Sequence, residues 1–124
     1  MDNDNKVVLV VDEAGATHTI RAVLKNRGIE MVVLDPTEDF TRPTSQYALR
    51  AVIYEPFYVM FGGKPFRPIV DEILERAKAN GAIRIACSTQ PERTLTDQGF
   101  IQGTHYDRYV EKVASSAEIL EGIL

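Results

Sequence analysis

Lys6-Val7-Val8-Leu9-Val10-Val11, followed at once by Asp12-Glu13, is the stretch that decides the architecture. The run shows no alternation of apolar and polar positions, so neither of its faces is set up to meet water. It suits a strand buried on both faces, as in a parallel sheet. Downstream, Ile20, Val23 and Leu24 share one helical face with Arg21, Lys25 and Arg27 elsewhere, and the pattern stops at Gly28, a residue suited to ending a helix. The two segments form a first β-α unit.

The alternation continues along the chain. Ile29–Leu34 reads as a second strand, and Asp35-Pro36-Thr37-Glu38 supplies a cap, a first-turn proline and a capping-box glutamate for a short helix. Arg50–Tyr54 is a third apolar run bounded by Glu55-Pro56, and Gly62-Gly63 marks a loop beyond it. Ile69, Val70, Ile73, Leu74 and Ala77 recur at helical spacing up to Asn80-Gly81, and Ala82–Cys87 makes a fourth strand ending at Ser88-Thr89. A weaker helix over Arg93–Gly99, a fifth strand over Tyr106–Glu111 and a terminal helix over Ser115–Leu124 complete the pattern, giving five strands alternating with five helices.

Crossovers of helix length call for a parallel sheet covered on both faces. The expected class is therefore α/β, a flavodoxin-like (βα)5 doubly wound sheet of five parallel strands in the order 2-1-3-4-5. Neither an internal repeat nor a long linker divides the chain, so residues 1–124 read as a single domain.

Composition narrows the function classes. The 124 residues carry 14 basic and 18 acidic side chains, a net charge of −4, and the acidic balance disfavours non-specific nucleic-acid binding. The longest strongly apolar run, Val7–Val11, falls far short of the roughly 20 residues that cross a bilayer. The polar, acidic start of the chain is unlike a secretory signal, and the expected location is the cytoplasm without membrane contact. Cys87 is the single cysteine, which leaves no internal disulfide and no multi-cysteine metal site.

In doubly wound sheets ligands meet the carboxyl ends of the strands. Those ends offer Asp12 and Glu13, Glu55, the hydroxyls of Ser88 and Thr89, and Lys112. Three converging carboxylates need relief from Lys112, from a divalent cation of the magnesium type, or by proton uptake. His18 and His105 are isolated and read as surface or structural groups. Phe57-Tyr58-Val59-Met60-Phe61, almost wholly apolar, is expected to fold inward as a lid rather than to form an exposed partner patch. Gly62-Gly63-Lys64 lacks the spacing of a phosphate loop.

With these residues in place the chain resembles the receiver domain of two-component response regulators along its full length. Val10-Val11-Asp12-Glu13 looks like the family's acidic pair, Glu55 stands at the phosphoacceptor position, Ser88-Thr89 resembles the hydroxyl motif, and Tyr109 with Lys112 resembles the switch aromatic and lysine. Gly63 matches the family's loop glycine. The departures are pointed: glutamate replaces the acceptor aspartate, and Val59 and Val113 stand where the family carries prolines. The segment Gly103–Tyr109 is also longer than the family pattern.

Phosphoryl transfer is mostly geometry, and an extra methylene displaces the nucleophile. The resemblance therefore implies an atypical receiver, a pseudo-receiver that signals through protein contacts in the cytoplasm without aspartyl phosphorylation and without enzymatic activity. Its Glu55 carboxylate would lie nearer to where phosphoryl oxygens would sit. The expected partner is a signalling protein, a kinase or a second copy of the chain, met across the face of the fourth helix, fifth strand and fifth helix. No output domain is expected to follow.

Several readings stay open. Ser88 bonds either Glu55 or nearby backbone amides. Tyr109 is a switch or a packed strand tyrosine, and Lys112 is a salt-bridge partner for Glu55 or Asp12. A peptide without proline after Lys112 is expected to be trans. The competing functions are a phosphorylatable receiver with magnesium on Asp12 and Glu13, and a flavodoxin-like cofactor binder or enzyme using Gly15–Thr19 as a phosphate turn.

Overall fold

The computed structural model describes residues 6–13, 15, 17–35, 44–57, 60–61, 64–65, 67–112 and 116–123. Its main sheet holds β1 (Lys6–Val11), β2 (Met31–Leu34), β3 (Ala48–Tyr54), β6 (Ile83–Ser88) and β7 (Arg108–Glu111), in the order β2-β1-β3-β6-β7. All four pairings are parallel. Counting these five strands along the chain, the order is 2-1-3-4-5, the doubly wound arrangement expected from the alternating pattern. A separate two-stranded antiparallel sheet joins β4 (Met60–Phe61) to β5 (Lys64–Pro65), where the sequence signalled only a loop.

The first apolar run shows why a two-faced strand is needed. Val7, Leu9 and Val11 of β1 enter one core with Val70, Ile73, Leu74 and Ala77 of α2 (Arg67–Ala79) and Leu95 of α3 (Arg93–Asp97). Val8 and Val10 enter the opposite core with Ile20, Val23 and Leu24 of α1 (His18–Lys25) and Ile119 and Leu120 of α4 (Ser116–Leu120). The strand period of two divides one run of apolar side chains between two layers of helices.

Boundaries differ from the periodicity in instructive places. Four helices lie among the described residues, and the helix expected after Asp35-Pro36 falls outside them, as does the Lys112–Val113 peptide. The fifth strand starts at Arg108 instead of Tyr106, because Tyr106 forms only a bridge with Gln102 and the Asp107 carboxylate accepts the Arg84 backbone N–H. The terminal helix spans Ser116–Leu120 and gives way to a turn at Gly122, whose φ is +83°.

At Gly122 a Cβ would stand 2.3 Å from Ile83 Cδ1 in addition to the unfavourable φ. Gly122→Ala is expected to lower stability by about 1–2 kcal/mol. Shortening the facing residue with Ile83→Val should recover part of that loss in a double-mutant melt, whereas full additivity would show that the close approach is not the cause.

Candidate functional site

The candidate site is built from the first residues past three strand ends, each held by a backbone bond that extends the sheet. Asp12 N–H donates to Leu34 O at 3.3 Å, Glu55 N–H to Val11 O at 3.0 Å, and Lys112 N–H to Ser88 O at 3.1 Å. The ladder therefore carries two carboxylates and one ammonium to a common rim before any side chain contributes.

There Lys112 Nζ lies 2.9 Å from Asp12 Oδ2 and 2.8 Å from Glu55 Oε1. The other two carboxylate oxygens also accept hydrogen bonds: Asp12 Oδ1 from Glu13 N–H at 2.8 Å, and Glu55 Oε2 from Phe57 N–H at 3.2 Å. Asp12 and Glu55 are buried, at 4% and 9% exposure, so one partly buried ammonium is shared by two desolvated carboxylates and offsets one of their two charges. Burial pushes the Asp12 carboxyl above its usual range against the opposing pull of Lys112. For Lys112 burial alone would depress the ammonium, and the hydrogen bonds and charges of Glu55 and Asp12 together outweigh it, so its pKa is raised.

The remaining strand-end residues separate. Glu13 is exposed and does not join Asp12 and Glu55 in a group that could hold a metal ion, so Lys112 contacts two carboxylates rather than the expected three. Ser88 is 1% exposed, and its Oγ accepts the Gln90 N–H at 3.1 Å, the local backbone role rather than a bond to Glu55. Thr89 is exposed. The half-buried Tyr109 donates its hydroxyl to Ser88 O at 3.2 Å and closely approaches Gln90 O, which ties β7 to the end of β6. Burial pushes the Cys87 thiol up to about 11, which keeps it neutral. Phe57 packs against the core, and Tyr58 and Val59 of the expected lid lie outside the described residues.

Beside the ion cluster opens a cleft of about 550 Å³, lined by Glu55, Phe57, Ser88, Thr89, Gln90 and Lys112 and by Thr94, Asp97 and Gln98 on or next to α3. The α3 contribution was not legible in the sequence, since a five-residue helix gives no reliable period. Arg67 of α2 fixes that wall: its guanidinium lies 3.7 Å from the Phe100 ring centroid and donates to Gln98 O and Gly99 O, both at 2.9 Å. Among the described residues no group of three or more His, Cys, Asp and Glu side chains is placed to hold a metal ion.

No protein-family model and no curated protein matches this sequence. Solved structures do. The signal receiver domain of an HD domain-containing protein from Pseudomonas fluorescens is 13% identical, with a TM-score of 0.65 over 94% of this chain and 83% of that one. The receiver domain of a sensor histidine kinase from Pseudomonas aeruginosa, solved with magnesium coordinated in its active-site cleft, is 16% identical, with a TM-score of 0.65 over 96% and 98%. A third match, at 13% identity and a TM-score of 0.59 over 95% and 89%, comes from the Saccharomyces cerevisiae complex of the phosphotransfer protein Ypd1 with the receiver domain of the response regulator Ssk1. At such identities the likeness is one of fold, and the chain has the five-stranded parallel α/β fold of receiver domains.

Proposed function

We propose that residues 1–124 act as one receiver-like signalling domain that works through protein contacts without aspartyl phosphorylation. The observation that carries this reading is the bridge of Lys112 Nζ to both Asp12 and Glu55, with Glu55 standing at the acceptor position. A phosphoacceptor must present a carboxylate oxygen in line with the donor, and Glu55, one methylene longer than aspartate, has one oxygen drawn to Lys112 and the other to the Phe57 N–H.

Magnesium, the ion that the resemblance brings with it, fits these residues poorly. It demands a near-octahedral set of oxygens, whereas Glu13 is exposed and the ammonium occupies the space between the other two carboxylates. Lys112 supplies part of the counter-charge that a divalent cation would otherwise provide. Output then passes to a protein partner across the face of α3, β7 and α4. The yeast complex offers a precedent, a receiver domain bound to another signalling protein. Ile101, 56% exposed in the segment joining α3 to β7, is an exposed apolar side chain available to such a partner.

Intact-protein mass after incubation with acetyl phosphate and magnesium tests the reading. The wild type is expected to gain no phosphoryl adduct. An adduct on the wild type would overturn the proposal and restore a working receiver. Glu55→Asp under the same conditions reports whether the surrounding pocket would support transfer to a shorter carboxylate.

A further inference from the structure

At the opposite edge of the sheet, beyond the amino ends of β1, β3 and β6, lies a second cleft of about 680 Å³. That volume is within the range of small-molecule sites. Among the described residues its lining includes Lys6, Arg50, Lys78 and Arg84 against one carboxylate, Asp107. Arg84 is 3% exposed and pairs with Asp107 at 2.9 Å, so these two charges cancel. Lys6, Arg50 and Lys78 form no ion pair with a described residue. The chain as a whole is acidic, with a net charge of −4, yet these three cations meet around one concavity.

A solvated helix end accounts for Lys78 alone, since a cation in the last turn of α2 complements the helix dipole. It does not account for Lys6, which begins β1, or for Arg50, the third residue of β3, both of which are partly buried. Arg50 is also oriented: its Nε donates to Ile123 O at 3.0 Å, which fixes the guanidinium in the lining. Like charges gathered in a concave wall raise a positive potential that a multiply charged anion would relieve. A guanidinium fork and two ammonium groups lining one cleft offer the kinds of donor that phosphate oxygens accept from.

We propose that this cleft binds a small phosphate-bearing ligand of two or more negative charges, at a site separate from the carboxylate cluster. The inference does not depend on the signalling reading of that cluster. The test is calorimetric titration of the protein with inorganic pyrophosphate, at low ionic strength and again at about 0.15 M salt.

Saturable binding at one site is expected, weakened about tenfold by Lys78→Gln and again by Arg50→Gln. Lys25→Gln, which removes an exposed cation on α1, should leave it unchanged. Lys78 is exposed, so its variant tests the site even if loss of the Arg50–Ile123 bond impairs folding. Absence of saturable heat at about 5 mM pyrophosphate overturns the proposal. Equal weakening by Lys25→Gln also overturns it, because the attraction would then be diffuse. Tighter binding of a single-stranded oligonucleotide that pyrophosphate does not displace would assign the cations to a polymer and equally overturn it.

Discussion

Replacing Lys112 with methionine is expected to lower stability by about 3 kcal/mol near neutral pH, because removing one partner leaves two buried carboxylates facing each other without a counter-charge. The loss should depend on pH in a defined direction. Asp12 already has a folded-state pKa raised above its ordinary value by burial, so the folded protein binds its proton more readily than the unfolded chain does. Without the ammonium that tendency grows, and the variant should recover stability as the pH falls toward about 4.

The wild type behaves oppositely at the alkaline end. The pKa of Lys112 is raised, so its contribution is fully present below the unfolded value of 10.5 and is lost as pH rises through the folded one. Thermal melts of wild type and Lys112→Met across pH would read both limbs. The double variant Lys112→Met/Glu55→Gln should be more stable than additivity predicts, since it removes one of the two opposed charges. A Lys112→Met protein as stable as the wild type at pH 7 would show that water already screens the cluster.

Arg84→Met should be as damaging, by about 3 kcal/mol, although Arg84 is far from the carboxylate rim. Its buried guanidinium holds both oxygens of Asp107 through Nε at 3.2 Å and Nη2 at 2.9 Å. It also donates to Thr104 O at 2.6 Å and Gly103 O at 3.1 Å. One side chain thus fastens the segment that leads into β7. Methionine fills much of the volume but leaves those carbonyls without their donor, so amide exchange over residues 103–107 should accelerate along with the loss of stability.

Acid supplies the control. The hydrogen bond from Arg84 holds the Asp107 carboxyl below its usual 3.8, so the pair stabilises above that value and its contribution fades as pH falls through the lower folded one. The gap between the wild-type and Arg84→Met melting curves should therefore narrow in strong acid, leaving the share that belongs to the Thr104 and Gly103 carbonyl bonds. Parallel curves would place the whole effect in those bonds and in packing.

The parallel sheet was legible in the apolar runs Lys6–Val11, Arg50–Tyr54 and Ala82–Cys87, because burial on both faces removes polar alternation from a strand, and the strand order followed from the doubly wound class that the alternation with helices implies. The carboxylates, the hydroxyls and Lys112 were legible for a related reason. In such a sheet the residues just past the strands gather at one rim. Where the side chains point was not legible: Glu13 follows Asp12 directly yet is exposed, and Ser88 turns to its own backbone.

Other features arise only when distant segments meet. Arg84 sits inside an apolar strand, and nothing local to it indicates that its partner is Asp107, 23 residues further on. The same is true of the clasp of Arg67 on the end of α3, and of Lys6, Arg50 and Lys78 meeting around one cleft. Sequence by itself determined the periodicity, and so the sheet, its helical layers and the rim where chemistry-bearing residues collect, since these follow from which faces must leave water. Tertiary structure alone decided which charges pair, because an ion pair depends on distances of a few ångströms between segments whose separation along the chain carries no record of them.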